Sequence, residues 1–163
     1  MTVQERQALV REFHRMNDEP VNDAPELPSP EQAALRAKFI MEEALELINA
    51  LGIDVHLPVC DEPGPFDGDV IIDRLEFLHT RDPDFVAAVD GLRDLEYQLH
   101  GTELVLGVCE ATDATFLEVH RSNMEKQHVH YGNKALKPAG WKPPRIAEAL
   151  RKTYPKKALL FRK

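Results

Sequence analysis

The sequence predicts an all-α fold, a helical bundle of roughly four to six helices. Three observations lead there. Apolar residues recur at helical spacing in four stretches, two of those stretches open on a capping residue followed by proline, and no segment alternates long enough to make a useful strand. With 163 residues and 43% hydrophobic content, residues 1–163 read as a single domain around one core.

The first helix is expected from about Thr2 to Asn17, where Leu9, Val10, Phe13 and Met16 fall on one side. A polar connection with proline follows. Ser29-Pro30-Glu31-Gln32 then opens the second helix, with Ser29 as cap, Pro30 at the first helical position and Gln32 closing a capping box. That helix runs to about Leu51 and stops at Gly52, with Ile40, Ala44, Leu47, Ile48 and Leu51 on the buried stripe. Prolines and glycines between Gly52 and Gly68 mark a loop, and a short helix is expected over Asp69 to His79.

Asp82-Pro83-Asp84 repeats the cap-then-proline signature and starts a long helix through Val89, Leu92, Leu95 and Leu99 to about Val108. Gly101 inside it costs about 1 kcal/mol against alanine, which a close helix–helix contact would explain. Thr112-Asp113 begins a further helix containing Phe116, Val119 and Met124. From about residue 128 the chain becomes an irregular arm with Trp141, followed by a short helix at Arg145 to Lys152.

A net charge of −8 argues against a nucleic-acid binder, which needs a basic face. A small polyanion remains possible if metal ions and a few placed cations meet it. Cys60 and Cys109 form no metal-binding spacing and read as reduced thiols, the N-terminus lacks a signal-type apolar core, and no run reaches membrane-spanning length. A cytoplasmic protein without a membrane partner is the expectation.

Chemistry points to carboxylates. Glu43 and Glu46 lie three apart on one helix face, at the margin of an apolar stripe made by Phe39, Ile40, Leu47 and Ile48. A lone pair of this kind usually marks a solvated acidic face. Asp90 and Asp94 sit one turn apart on the long helix, again among core-type residues, so four carboxylates converge if the two helices pack. Oxygen ligands without clustered Cys or His suit Mg²⁺, with Mn²⁺ as substitute, and Mg²⁺ sites are commonly completed by substrate phosphates. A di-iron bundle would want Glu-x-x-His on two helices, and neither of the two carboxylate-bearing helices carries one.

Three runs then carry a resemblance: Phe39-Ile40-Met41-Glu42-Glu43-Ala44-Leu45-Glu46-Leu47, Asp90-Gly91-Leu92-Arg93-Asp94-Leu95-Glu96-Tyr97, and Glu118-Val119-His120-Arg121-Ser122-Asn123-Met124-Glu125-Lys126. In their order and spacing the chain resembles the all-α nucleoside triphosphate pyrophosphohydrolases, in the MazG-like, phosphoribosyl-ATP pyrophosphohydrolase-like branch. The resemblance implies a homodimeric bundle, Mg²⁺ on an ExxE pair and a second acidic pair, and release of a nucleoside monophosphate and pyrophosphate. It also implies that Asn123 and Lys126 lie near substrate, where spacing alone would make them surface residues.

The chain departs from that pattern in two places. The second motif is often ExxD, whereas position 91 is Gly and the available partner of Asp94 is Asp90. The segment from Asp54 to Asp84 is also long for the branch.

The expected chemistry is metal-assisted hydrolysis of a nucleoside triphosphate, a deoxynucleotide in a pool-cleansing role, with Glu43, Glu46, Asp90 and Asp94 as ligands. Glu42 or Glu43 would serve as base. Phosphoribosyl-ATP hydrolysis and a non-catalytic nucleotide-binding scaffold are the alternatives. Arg36, Lys38 and Arg93 read as surface ion-pairing residues. Phe13 and Trp141 are candidates to stack on a base, against the plainer reading of core aromatics. His128 and His130 form an HxH without an evident third ligand. Phe39, Ile40, Met41, Ala44 and Leu45 spread apolar surface around one helix, which also argues for pairing of two chains.

Overall fold

The structure, a computed structural model, describes residues 1–56, 75–126 and 136–161. It resolves into two compact units, one formed by Met1–Pro28 with His100–Lys163 and the other by Ser29–Leu99. The fold class is all-α as expected, with one small sheet added.

In the Ser29–Leu99 unit, α2 (Pro30–Ala50) begins as its sequence dictates. Gln32 N donates to Ser29 Oγ at 3.2 Å and Ser29 N to Gln32 Oε1 at 2.9 Å, closing the capping box. The helix ends at Leu51, and Gly52 follows at φ 80°. A Cβ on Gly52 would stand 2.1 Å from the carbonyl oxygen of Arg81, so both backbone conformation and space demand glycine.

The chain then forms β1 (Ile53–His56), antiparallel to β2 (Glu76–His79), in a register that sets Ile53 opposite His79 and His56 opposite Glu76. This corrects the sequence expectation at both ends. The loop predicted from Gly52 holds a strand, and residues 76–79 of the predicted 69–79 helix are extended. Residues 69–74 of that helix lie outside the described residues, as does Cys60. Four-residue strands paired across such a long separation carry little local signal.

The long helix α3 (Phe85–Leu106) starts two residues later than expected. Asp84 rather than Asp82 caps it, its Oδ1 accepting from Val86 N at 2.9 Å and Ala87 N at 3.0 Å. A close helix–helix approach occurs at Gly91, whose Cβ would lie 3.2 Å from the Cα of Leu47 on α2.

In the other unit, α1 (Val3–Met16) carries a second capping box, between Thr2 and Glu5. The end of α3 is closed by the strap that follows α1: Asn22 N donates to Leu104 O, Asn22 Nδ2 to Val105 O and Glu26 N to Leu106 O. Three terminal carbonyls are thereby satisfied. Gly107, at φ 65°, turns the chain against Ala24. A 3₁₀ turn (Cys109–Ala111) leads into α4 (Thr112–Met124), and α5 (Ile146–Thr153) is followed by a second 3₁₀ turn (Pro155–Phe161). Val10, Leu104, Val105, Ala111 and Tyr154 form the apolar centre.

Beside it lies a polar cluster. Gln7 Nε2 donates to Glu103 Oε2 and to Thr112 Oγ1, and His100 Nδ1 stands 2.8 Å from Glu103 Oε2. Buried His14 bonds the Pro20 carbonyl through Nδ1 and faces Glu19 at 3.3 Å through Nε2. These histidines hold structure. Burial pushes the Cys109 thiol up to about 11, which keeps it protonated.

The apolar stripes need a second correction. Leu9, Phe13, Met16, Leu51, Val89, Leu92, Leu99, Phe116, Val119 and Met124 fall at the predicted helical positions but are exposed in the single chain, whereas Arg36 is the buried residue of α2.

Candidate functional site

Helix α2 supplies Glu43 and Glu46 and α3 supplies Asp90 and Asp94, with the Gly91–Leu47 approach drawing the two backbones together. Between them opens a cleft of roughly 660 Å³, lined by Glu46, Asp90 and Asp94 together with Asn49, Arg81, Asp82 and Asp84. Its volume is that of a small-ligand site. Three of the four carboxylates that the spacing singled out line this one cavity.

Glu43 stands beside these three rather than in the cleft wall. Its carboxyl is held above the ordinary range, first by desolvation and then by the charges of Asp94 and Glu46. Gln98 Nε2 reaches Glu43 Oε1 at 3.5 Å and partly offsets that cost. Glu42 is exposed and adds its own repulsion to Glu43.

Among the described residues no group of three or more Asp, Glu, His or Cys stands at distances that would hold a metal. The donor set itself, all carboxylate oxygen without thiol or imidazole, fits Mg²⁺ or Mn²⁺.

The remaining candidates belong to the other unit. Lys126 Nζ donates to Asn123 Oδ1 at 2.7 Å, so the two share a face as their spacing requires, and the ammonium lies 5.8 Å from the Trp141 ring centre. Trp141 Nε1 donates to Ser122 O at 2.9 Å, which gives that aromatic a structural anchor. Phe13 is 46% exposed on α1. His128 and His130 lie outside the described residues.

Sequence reasoning missed Asn49, Arg81, Asp82 and Asp84 as cleft residues. Asn49 follows Glu46 by three and was legible on spacing. Arg81 was not, because it enters from the end of the hairpin. Arg36 was misread as a surface ion-pairing residue. It is buried, and its Nη2 donates to Gln98 O at 2.7 Å and Gln98 Oε1 at 2.8 Å, ordering the side chain that meets Glu43. Arg93 does pair on the surface, with Glu96.

Fold and cleft together define an all-α protein with a carboxylate-lined cleft. Residues 10–123 match the model of the family described as phosphoribosyl-ATP pyrophosphohydrolase, and the chain belongs to that family, within the MazG-like all-α nucleoside triphosphate pyrophosphohydrolases. Membership supports a pyrophosphohydrolase activity on a nucleotide. No curated protein shows significant similarity to the sequence. Among the described residues no helix is long and apolar enough to cross a membrane.

Proposed function

We propose that the chain hydrolyses a nucleoside triphosphate to nucleoside monophosphate and pyrophosphate in a divalent-metal-dependent reaction. The observation that carries this reading is the convergence of Glu46, Asp90 and Asp94 on one cleft with Glu43 at its margin. Glu43, Glu46, Asp90 and Asp94 would hold Mg²⁺, which would supply charge neutralisation on the phosphates and activation of water.

The protein's own part is positioning. Gly91 sets the helix separation, and Gln98, ordered by Arg36, orients Glu43. The general base is assigned to the adjacent pair Glu42 and Glu43, of which Glu42 is exposed. Asn123, Lys126 and Phe13 are assigned to the nucleotide, Lys126 as a point charge on a phosphate oxygen. A homodimer in the cytoplasm completes the proposal, since α1 to α4 all expose large apolar side chains.

A second reading, phosphoribosyl-ATP as substrate, is favoured by the description of the matched family. Pyrophosphate release from a panel of ribo- and deoxyribonucleoside triphosphates and phosphoribosyl-ATP, with Mg²⁺ and with chelator, tests both. Orthophosphate as first product, or full activity in chelator, would overturn the corresponding half of the proposal.

A further inference from the structure

We propose that Arg81 binds a phosphate of the substrate at the cleft, the group that leaves within pyrophosphate. The inference rests on the function proposed above and adds a specificity residue to it. Glu46, Asp82, Asp84, Asp90 and Asp94 all line this cleft, and Arg81 is the one basic side chain among the described lining residues. A triphosphate entering so acidic a wall needs a cation on the oxygens that the metal does not reach, and a guanidinium supplies it with directional bonds.

Arg81 is seated firmly. Thr80 N donates to Gly52 O at 3.0 Å and Asp84 N to Ala50 O at 2.8 Å, and the Arg81 carbonyl occupies the space a Cβ on Gly52 would need. The segment from 80 to 84 is thus fastened to the end of α2. The side chain is oriented too: Nη1 donates to Asp54 Oδ1 at 2.8 Å and to Thr80 Oγ1 at 3.2 Å, and Nη2 to Asn49 O at 3.0 Å. A guanidinium has five N–H groups. Nε–H and the second Nη2–H make no bond to any described residue, and the side chain remains 42% exposed. An arginine that lines an acidic cleft and keeps donors to spare has what a phosphate contact requires. The bond from Arg81 in turn holds the Asp54 carboxyl below its usual range.

The test compares Arg81→Gln and Arg81→Lys with the parent by inhibition with magnesium pyrophosphate, by KM and kcat, and by melting temperature. Arg81→Gln should weaken pyrophosphate inhibition and raise KM by about tenfold, with Arg81→Lys recovering part of the loss because charge remains without the fork. A purely structural arginine would lower the melting temperature and leave pyrophosphate affinity unchanged, which would overturn the proposal.

Should a variant fail to fold, dicarbonyl modification of Arg81 in the parent, read by mass spectrometry, must slow when magnesium pyrophosphate is added. An unchanged rate overturns the proposal. A parent that releases pyrophosphate while Arg81→Gln inhibits normally refutes Arg81 alone. A parent that binds pyrophosphate through Arg81 but hydrolyses no nucleotide refutes the functional reading alone.

Discussion

Gly91 of α3 lies against the backbone of Leu47 on α2, so near that a Cβ would come within 3.2 Å of the Leu47 Cα and 3.3 Å of its Cβ. This contact brings together the helices that carry Glu43 and Glu46 on one side and Asp90 and Asp94 on the other. Gly91→Ala gains up to about 1 kcal/mol of helix propensity but incurs about 1 to 3 kcal/mol of overpacking. The expected outcome in chemical denaturation is a net loss of about 1 kcal/mol, with turnover down about tenfold as the carboxylates spread. Gly91→Glu, which would restore the family's ExxD spelling, should destabilise further and restore nothing. Activity equal to the parent in Gly91→Glu would show that the helices have room to part.

Glu43→Gln, Glu46→Gln and Asp94→Asn should each reduce turnover by about a hundredfold or more under limiting Mg²⁺, and Asp90→Asn by the same or less. Four near-normal rates would displace the site.

In chelator Glu43 should show a second behaviour. Its folded-state pKa lies above the unfolded value of 4.5, so ionisation is a cost that is absent well below pH 4.5 and grows as pH rises beyond it. Glu43→Gln should therefore melt higher than the parent at pH 7 without metal, and the difference should disappear toward pH 4. A parent that melts higher at pH 7 would contradict the repulsion.

Lys126 and Asn123 already bond one another in the structure. Lys126→Ala should lower kcat/KM by roughly 1.5 to 3 kcal/mol if the ammonium meets a phosphate, with little change in melting temperature. An equal fall in kcat is expected, because Asn123 remains to hold the ground state. Efficiency within about twofold of the parent would remove Lys126 from the site.

Arg145 and Arg121 hold Glu118 down to about 2. Its folded pKa is depressed, so its contribution is complete above the unfolded value of 4.5 and is lost as pH falls toward 2. Trp141 is the single tryptophan and sits on neighbouring Ser122, so its emission should change over that window. Glu118→Gln should abolish the transition, and a transition that persists would place its origin elsewhere.

Light scattering at micromolar concentration should give twice the chain mass. Leu9 is 53% exposed on α1, and Leu9→Glu should shift the population toward the single chain. A parent already monomeric would sink the dimer.

The helices were legible where capping chemistry is local: Ser29-Pro30 and Gly52 bracket α2 to within a residue. The carboxylates were legible because three- and four-residue spacings survive into the fold. Burial was not, because apolar periodicity reports a face without saying whether this chain or another covers it, as Leu92 and Leu99 show. Arg36, Arg81 and the β1–β2 pair depend on partners distant in sequence, which no window of neighbouring residues contains.

The family match ends at residue 123, yet Trp141 bonds Ser122, Arg145 bonds Glu118, and Tyr154 Oη accepts from Glu110 N. The matched range and the range that these contacts tie together therefore end at different places in the chain. A ribosome delivers the chain from its N-terminus, so α4 emerges with Ser122 and Glu118 uncovered and waits for the final stretch to seal them. Until residues 141 to 154 arrive, the matched portion lacks these three contacts.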